Sequence, residues 1–355
     1  MTVRRDAVPA WLCGQGPEAS IVLSTRVRLA RNVANHRFTS CASATERGEL
    51  FAEVAATLEK DSQLAEYECI NFGSVSSLCR QLLVEKRIAS PELLPERGDR
   101  GVAWSGEPFS SILINEEDHL RIQCLEGGCD PLLAWKRADE IDDRLGSGLK
   151  FAYTEQRGYL TCRPGEAGTG LRVSFLMHLP GLVLTRAIEA VLSGASRMGM
   201  ASRGFFGERE VIGNFFQLSS QPAFVEDERG CLDAAKRVAL EVVAHERSAR
   251  QRLLKDARLE VTDKVFRALG ILQQAQMLSV AEFMNLSSAL RLGIECGILS
   301  GLAPEGLNRA LVQVMPAHLR QGANKRLSET DLAVMRAGAV RKMVLQKIRK
   351  RRTAT

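Results

Sequence analysis

The sequence predicts an α+β protein, in which a largely antiparallel sheet flanked by helices is followed by an all-α C-terminal domain. Short runs that alternate apolar and polar residues, as strands do, recur between residues 21 and 219 with helical segments among them. Two such runs, 111–114 and 120–124, are joined by a tight connection, which is typical of neighbouring antiparallel strands. Strand patterns are absent from residue 233 onward. We therefore predict a lead-in over residues 1–19, a mixed domain over 20–255 and a helical domain over 256–355.

Composition is that of an ordinary globular protein. The 355 residues are 45% hydrophobic and 25% charged, which is enough for a substantial core in two or three domains. The net charge of +6 is only weak evidence for an anionic ligand. Nine scattered cysteines without a CxxC pair favour reduced thiols. The N-terminus lacks the apolar run of a signal peptide and no segment is long enough to cross a membrane, so we predict a cytoplasmic protein without membrane contact.

The first predicted strand carries two arginines on one face. Alternation over residues 21–28 places Ser24, Arg26 and Arg28 on the same side of the strand. A hydroxyl and two guanidinium groups side by side can clamp a polyphosphate. An exposed basic edge strand has the same pattern, and the strand alone does not separate the two interpretations.

An acidic turn follows two predicted helices, over 44–64 and 78–87, and a loop over 92–110. Between the strands ending at Ile114 and starting at Leu120 stand three consecutive acids and a histidine, in the order Glu116, Glu117, Asp118, His119. A turn that only needed to be hydrated would use Gly, Asn or Ser. Three adjacent carboxylates repel one another unless a cation meets them. The sequence therefore indicates either a cation-binding turn or a solvated acidic one.

A glycine loop lies between two further strand patterns. Asp130 as N-cap and Pro131 at the first helical position open a helix that runs to residue 145. Beyond it, strand-like residues at 151–154 precede the glycine loop at 165–170, and the strand after that loop carries Arg172. Backbone N–H groups of such a loop can bind an anion. The loop has neither the Gly-Lys-Ser/Thr of a P-loop nor the following helix of a dinucleotide fingerprint.

The remaining elements are predicted from helical periodicity and a few breakers. A helix over 182–198 precedes a charged loop at 202–210, which could form a lid, and a strand over 211–219. The helices after it are predicted at 233–257, 258–276, 279–298, 304–314 and 328–350. Ser279 and Glu282 have the spacing of a capping box. The basic end, 341–352, is either a solvated helix end or a nucleic-acid contact.

Four segments, in this order, together resemble the phosphagen (guanidino) kinase family. They are Ser-x-Arg-x-Arg at 24–28, Asn-Glu-Glu-Asp-His-Leu-Arg at 115–121, Thr-Cys-Arg-Pro leading to Gly-Thr-Gly-Leu-Arg at 161–172, and Arg-Gly-x-x-Gly-Glu at 203–208. Only 23 residues precede the first segment, where creatine- and arginine-type kinases carry a helical domain. The stretch 279–293 is similar instead to the bacterial protein arginine kinases of the McsB type.

The resemblance implies an activity, two cofactors and a set of site residues. The activity is transfer of the γ-phosphoryl group of ATP, with Mg²⁺, to the guanidinium group of arginine residues in proteins. The implied catalytic residues are Glu117 with Glu116 beside it, Glu208 and Cys162. The implied nucleotide-binding residues are Ser24, Thr25, Arg26, Val27, Arg28, Arg87, Arg121, Arg172, Val173, Ser174, Arg203, Gly204 and Gly207. No protein ligand for the metal is predicted, because phosphates and water would hold it.

The chemistry explains why carboxylates stand at such a site. A guanidinium has a pKa above about 12 and is protonated, so it is not a nucleophile. A carboxylate can bind two of its N–H groups, orient one nitrogen and accept a proton as the N–P bond forms. For Cys162 we consider a thiolate that adds negative charge near the acceptor, or a buried structural thiol.

Two departures from the family pattern bear on function. Arg87 stands where the family usually has His. In the C-terminal domain, the Arg-Asp-x-x-Arg-Ala motif that forms a phosphoarginine pocket in protein arginine kinases is reduced to Leu-Ala-Val-Met-Arg-Ala at 332–337, without its first Arg and its Asp. We therefore do not predict that phosphoarginine activates this protein.

The resemblance also implies partners, and it leaves two alternative functions. Relatives mark proteins for a Clp-type protease in the stress response and work with a zinc-binding activator, so we expect arginine-bearing protein substrates, these two partners and a homodimer as hypotheses. The alternatives are a kinase for a small free guanidine, which the missing N-terminal domain disfavours, and a catalytically weak regulatory homologue.

Overall fold

The computed structural model describes residues 10–95, 98–106, 109–205, 211–221, 227–301, 304–321, 323 and 327–342. Within these ranges the strands are β1 Val22–Arg31, β2 Glu68–Asn71, β3 Gly101–Ser105, β4 Ser110–Ile114, β5 Leu120–Gly127, β6 Tyr153–Thr154, β7 Gly158–Tyr159, β8 Leu171–His178, β9 Met200–Gly204 and β10 Phe215–Ser220. The α-helices are α1 Ala44–Lys60, α2 Ser77–Glu85, α3 Pro131–Gly148, α4 Pro180–Leu184, α5 Ile188–Arg197, α6 Glu228–Asp256, α7 Arg258–Gln274, α8 Val280–Glu295, α9 Pro304–Gln313, α10 Pro316–Arg320 and α11 Glu329–Val340.

Eight of the strands form one antiparallel sheet in the order β2-β3-β4-β5-β1-β8-β10-β9. The strand β1 lies inside it, between β5 and β8. Arg28 is opposite Gln123 of β5 on one side and Arg172 of β8 on the other. Three strands that are distant in sequence are therefore brought side by side, each carrying residues of the predicted site. The predicted α+β class is confirmed.

The two faces of the sheet have different roles because side chains alternate along each strand. Val27 and Val173 are fully buried in an apolar core that the sheet shares with α1, α3 and α6. Arg26 and Arg28, which flank Val27 along β1, lie on the opposite face and are only partly exposed. One face thus supplies the hydrophobic stabilisation, and the other is free to carry charge.

The N-terminal segment and the C-terminal helices cover part of the charged face with a second apolar core. Trp11 and Leu12 are buried there together with Leu125 of β5 and residues of α7, α8, α9 and α11. Arg291 of α8 is buried and donates a hydrogen bond to the carbonyl of Ala19 at 2.8 Å. The helical segment is therefore packed onto the sheet rather than standing apart from it.

Several predicted elements differ from the observed ones. The helix predicted over 182–198 is two helices, α4 and α5, because Arg186 between them has a left-handed φ of 58°. The charged loop predicted at 202–210 begins within β9, and the loop predicted at 92–110 contains β3. Both strands are only five residues long. Of the predicted capping box, the half in which Ser279 accepts from the Glu282 N–H is present.

Other boundaries agree within a few residues. Asp130 caps α3 by accepting from the Leu133 N–H at 3.2 Å, with Pro131 as the first helical residue. The basic end at 343–352 lies outside the described residues. None of the helices within the described ranges is both apolar enough and long enough to span a membrane.

Candidate active site

The acidic turn, residues 115–119 between β4 and β5, has a rigid backbone. Asn115 adopts a left-handed φ of 57°, and its side-chain amide donates to the carbonyls of Arg47 and Asp99 at 2.9 and 2.8 Å. The Arg100 guanidinium donates to the carbonyls of Asn115 and Glu116 at 2.6 and 2.9 Å. With the backbone held in this way, the direction of the following side chains is fixed.

Arg121 gathers the carboxylates of the turn around one buried guanidinium. Its Nη1 lies 2.5 Å from Glu116 Oε2, and its Nη2 lies 3.1 Å from Glu117 Oε2 and 3.3 Å from Asp118 Oδ2. Burial alone would lower the pKa of Arg121, but the charges of Glu116 and its other acidic neighbours raise it above its ordinary value. Glu116 and Asp118 are buried, so the alternative of a solvated acidic turn is wrong.

Glu116 is held as an ionised carboxylate. Ser90 donates its hydroxyl to Glu116 Oε1 at 2.5 Å, and the Glu117 N–H donates to Oε2 at 3.2 Å. Burial favours the neutral acid, but the Arg121 charge, the Ser90 hydroxyl and the Arg28 charge together lower the pKa of Glu116. Glu117, by contrast, has a side chain that is 31% exposed and can reach a ligand.

A cluster of four arginines from three strands, the arginine cage, lies beside the acidic turn. It consists of Arg26, Arg28, Arg121 and Arg172. Burial and the neighbouring arginines lower the pKa of Arg26, and burial with the Arg26, Arg121 and Arg172 charges lowers that of Arg28 well below its ordinary value. Among the described residues, the buried Nε atoms of Arg28 and Arg172 have no hydrogen-bond partner. Unpaired donors in a region of excess positive charge fit a polyphosphate.

Arg87 is fixed at the edge of the cage. It has a left-handed φ of 61° and donates through Nη2 to the carbonyl of Phe205 at 2.9 Å. Its guanidinium lies 4.4 Å from the ring centre of Phe205 and 5.2 Å from that of Trp11. Its charge contributes to the lowered pKa of Arg26, so Arg87 adds to the positive field of the cage.

We expect Arg28→Met to raise stability and to weaken nucleotide binding. Removing a poorly compensated buried charge should raise the free energy of unfolding by about 1–2 kcal/mol. If Arg28 binds phosphate as predicted, its loss should raise the Kd for ATP by about tenfold to a hundredfold. Urea unfolding and calorimetric titration with ATP and Mg²⁺ measure the two effects. The exposed Arg229 of α6, changed to Met, is the control, and a loss of stability in Arg28→Met would contradict the electrostatic argument.

Other predicted nucleotide-binding residues divide between the two faces of the sheet. Ser24 and Ser174 lie on the face of the cage, and the buried Ser174 hydroxyl has no partner among the described residues. Thr25 is on the other face, where its hydroxyl donates to the Gly128 carbonyl at 2.6 Å. Val27 and Val173 are in the core. Contacts from the side chains of these three residues to a nucleotide are excluded, because alternation turns them away from the cage.

The last motif of the site is described only in part. Arg203 and Gly204 belong to β9, where they pair with Gln217 and Phe216 of β10. Arg203 is exposed. Burial is the largest cause that lowers the pKa of Arg172, and the charge of Arg203 lowers it further. Gly207 and Glu208 lie outside the described residues.

Cys162 is next to the acidic turn as a thiol. Its backbone N–H donates to Asp118 Oδ1 at 2.7 Å. Burial, the Asp118 charge and hydrogen bond, and the Glu117 charge raise the pKa of Cys162 to about 12. In this arrangement burial and the two carboxylates favour the neutral thiol over the thiolate, and the Arg121 charge acts in the opposite direction.

We expect Cys162 to resist alkylation at neutral pH. A thiol with a pKa near 12 has a much smaller thiolate fraction at pH 8 than an ordinary thiol, so iodoacetamide should label Cys162 at least about a hundredfold more slowly than the exposed Cys41. Peptide mass spectrometry after timed labelling gives both rates. Labelling of Cys162 should accelerate with each pH unit up to pH 10, and equal rates at pH 8 would contradict the raised pKa.

Two charged residues of the loop 160–170, Arg163 and Glu166, belong to the site but were not predicted from the sequence. Glu166 is buried, and its carboxylate lies 3.4 Å from Arg172 Nη1 and 3.7 Å from Arg121 Nη2. Arg163 Nε lies 2.6 Å from Glu117 Oε1. The sequence signal for them was an arginine and an acid in or next to a segment whose glycines suggested an anion-binding loop. Within the described ranges, no group of three or more His, Cys, Asp or Glu side chains has a geometry that could hold a metal ion.

Comparisons with protein families divide the chain in two. Residues 49–249 match the family described as ATP:guanido phosphotransferase, C-terminal catalytic domain. Residues 258–355 match the family described as protein-arginine kinase McsB C-terminal domain.

Curated relatives are similar over nearly their whole length. The protein-arginine kinase of Pelotomaculum thermopropionicum is 37% identical over 349 residues, which cover 96% of this chain and 98% of the relative. The protein-arginine kinase of Bacillus subtilis is 36% identical over 340 residues, which cover 95% and 93%.

Solved structures share the fold at low identity. The duplicated taurocyamine kinase from Schistosoma mansoni has a TM-score of 0.60 and 21% identity, and the match covers 68% of this chain and 36% of that one. Lombricine kinase has a TM-score of 0.58 and 20% identity, with 70% and 71% covered. At these identities the likeness shows the fold alone.

Proposed function

The chain belongs to the ATP:guanido phosphotransferase family, and from this premise we propose that it is a protein arginine kinase, which transfers the γ-phosphoryl group of ATP to the guanidinium of arginine residues in proteins. The observation that carries the proposal is that positively charged side chains lie next to a negatively charged one. An arginine cage with unpaired buried donors lies directly beside a partly exposed carboxylate, Glu117. Such a pairing of charges can bind a phosphate donor and a cationic acceptor at the same time.

The proposed mechanism divides the work between these two parts. Arg26, Arg28 and Arg172 bind the phosphates, and Arg121 links the cage to the carboxylates. Phosphoryl transfer requires little covalent help from the protein, since alignment and charge neutralisation supply most of the acceleration. Mg²⁺, held mainly by phosphate oxygens and water, would supply further neutralisation of the phosphate charge.

Glu117 is the proposed general base. Its partly exposed carboxylate can bind the acceptor guanidinium and take one proton while the N–P bond forms and the bond from the γ-phosphorus to the ADP oxygen breaks. Glu116 is buried on Arg121 and Ser90, and its lowered pKa keeps it charged. We propose that Glu116 orients Arg121 and stabilises the cationic acceptor through the field of its charge. Glu208 and Arg203 remain proposals from the family motif.

A protein acceptor is favoured over a small guanidine by the relatives named above. Those that match this chain over its full length are named protein-arginine kinases, and the match to a protein-arginine kinase C-terminal domain covers residues 258–355. The kinases named for small guanidines share only the fold. Six further expectations stay proposals, and the family relation supports them. They are a cytoplasmic location, a catalytic domain over 20–255, a helical domain over 256–355, a homodimer, a zinc-binding activator, and a role with a Clp-type protease in stress.

Regulation through a phosphoarginine pocket in the C-terminal domain is not part of the proposal. Arg336, the arginine that remains of that motif, is buried and donates to the carbonyls of Val314 and Leu278 at 3.0 and 2.7 Å. Its guanidinium is already engaged in holding α11 to its neighbours. The acid and the other arginine of the motif are replaced by Ala333 and Leu332.

The proposal is tested by mass spectrometry at neutral pH, because phosphoarginine is acid-labile. The protein is incubated with ATP, Mg²⁺ and an unfolded arginine-rich protein, and phosphorylated arginines are mapped. The proposal expects phosphoarginine on the protein substrate. Phosphorylation of free arginine without any on protein would favour the small-guanidine kinase, and ATP turnover at background would favour the regulatory homologue.

A further inference from the structure

The loop of residues 160–170, which follows β7, holds an arginine against the proposed general base. The Arg163 carbonyl accepts hydrogen bonds from the Thr161 hydroxyl at 2.7 Å and from the Glu166 N–H at 2.9 Å. The Cys162 N–H is bound to Asp118 at one end, and the Glu166 carboxylate is paired with Arg172 at the other. Arg163 is therefore tethered on both sides at a fixed distance from the acidic turn.

The Arg163 guanidinium makes the contacts that a substrate guanidinium needs. Its Nε lies 2.6 Å from Glu117 Oε1, while Glu117 Oε2 faces Arg121 at 3.1 Å. Its Nη1 lies 3.8 Å from Glu166 Oε1, and this carboxylate is itself inside the arginine cage. A guanidinium thus bridges the proposed base and an anion located where the cage would bind phosphate. In the proposed reaction the acceptor guanidinium and the phosphate donor have this arrangement. Here two side chains of the protein, Arg163 and Glu166, occupy the corresponding positions.

We propose that Arg163 is an internal occupant of the acceptor subsite, which every substrate guanidinium must displace from Glu117, so that Arg163 sets the KM for the acceptor. The inference rests on the proposed function and adds the location of the subsite, between Glu117 and Glu166. It also assigns a role to a residue that belongs to none of the charged sets described above.

The occupancy is weak enough to be reversed. The Arg163 side chain is 49% exposed, and exposed ion pairs contribute little to stability. A tethered group nevertheless competes at an effective concentration in the millimolar range. Since the subsite must be vacated before any acceptor binds, the affinity of free arginine and that of a protein arginine fall by the same factor. A weak acceptor is then kept below saturation, whereas one bound through further contacts can still fill the subsite.

Arg163→Gln is the test, with Arg157→Gln as the matched control. Arg157 is an exposed arginine in the turn between β6 and β7, so its removal changes the charge of the same region without touching Glu117. For Arg163→Gln we expect the KM to fall about fivefold for both free arginine and a protein substrate, with kcat within about twofold. Arg163→Lys, which keeps the charge, should stay close to the wild type. A KM that is unchanged or raised, or factors that differ between the two acceptors, would overturn the proposal.

A binding measurement separates this inference from the proposed function. Calorimetric titration of L-arginine in the absence of ATP needs no turnover, and the Kd should fall about fivefold in Arg163→Gln. If neither form phosphorylates any acceptor yet the Kd falls, the proposed function fails and the occupancy stands. If protein arginines are phosphorylated and the Kd is the same in both forms, or arginine binds neither, the occupancy is wrong and the proposed function stands.

Discussion

Replacing Glu117 with glutamine is expected to lower kcat for protein arginine phosphorylation by about 10²–10⁴-fold, the usual contribution of a positioned general base. The amide keeps the shape of the side chain but cannot take a proton from the guanidinium. The Kd for ATP should change little, because Glu117 contacts the cage only through Arg121. Phosphoarginine formation measured by mass spectrometry, together with calorimetric titration of ATP, gives the two quantities.

Controls for Glu117→Gln come from the same region of the chain. Glu155 is an exposed acid in the turn between β6 and β7, and Glu155→Gln should leave kcat unchanged. Glu116→Gln should weaken the pairing of Arg121 as well as activity, since Glu116 Oε2 is 2.5 Å from Arg121 Nη1. A loss below about tenfold in Glu117→Gln would assign the proton transfer to another carboxylate.

The parts of the site that lie on strands were predictable because a strand has a fixed period. Two-residue alternation placed Arg26 and Arg28 on one face, and the structure has them there beside Arg172. The same period predicts that the side chains of Val27 and Val173 point into the core, away from the arginine cage, as the structure has them. Those residues were included through the family motif, which records contiguous positions and not the direction of each side chain.

Loop geometry was not predictable in the same way. Nothing in the local sequence says that Arg163 turns back to Glu117, because the contact joins residues 46 positions apart and depends on the path of the whole loop. The sequence left the thiol and the thiolate of Cys162 open for the same reason, since the charges that raise its pKa come from the acidic turn. The short strands β2 and β3 were missed because four or five residues carry too little periodicity.

Charged side chains of the loop 160–170 and of the sheet compensate one another across the site. Burial, together with the neighbouring positive charges of the arginine cage, lowers the pKa of Arg26 and Arg28. Glu166 compensates part of this positive charge from the loop side, at 3.4 Å from Arg172. A bound polyphosphate would have to compete with this carboxylate, so donor binding and the position of the loop are coupled through one residue. Movement of Glu166 away from the cage would also break its 3.8 Å contact with Arg163 Nη1.

Arg121→Met is expected to destabilise the protein by about 3–5 kcal/mol, the usual result of removing one partner from buried ion pairs. The change leaves Glu116, Asp118 and Glu166 buried and close together without their shared cation. The urea dependence of unfolding measures the loss. Arg144→Met is the control, because Arg144 forms a partly exposed pair with Asp61 at 3.3 Å and should cost less than about 1 kcal/mol.

The pH dependence of this loss distinguishes charge from packing. In the wild type the lowered pKa of Glu116 contributes stability at pH 7, and that stability is lost as the pH falls through the folded pKa. In Arg121→Met the carboxylates lose their shared cation, so protonation relieves the repulsion among them as the pH falls from 7 toward 4. The difference between the two proteins should therefore shrink with acidification. A difference that stayed constant over this range would mean that Arg121 stabilises the fold through its packing, and the electrostatic account of the acidic turn would then be wrong.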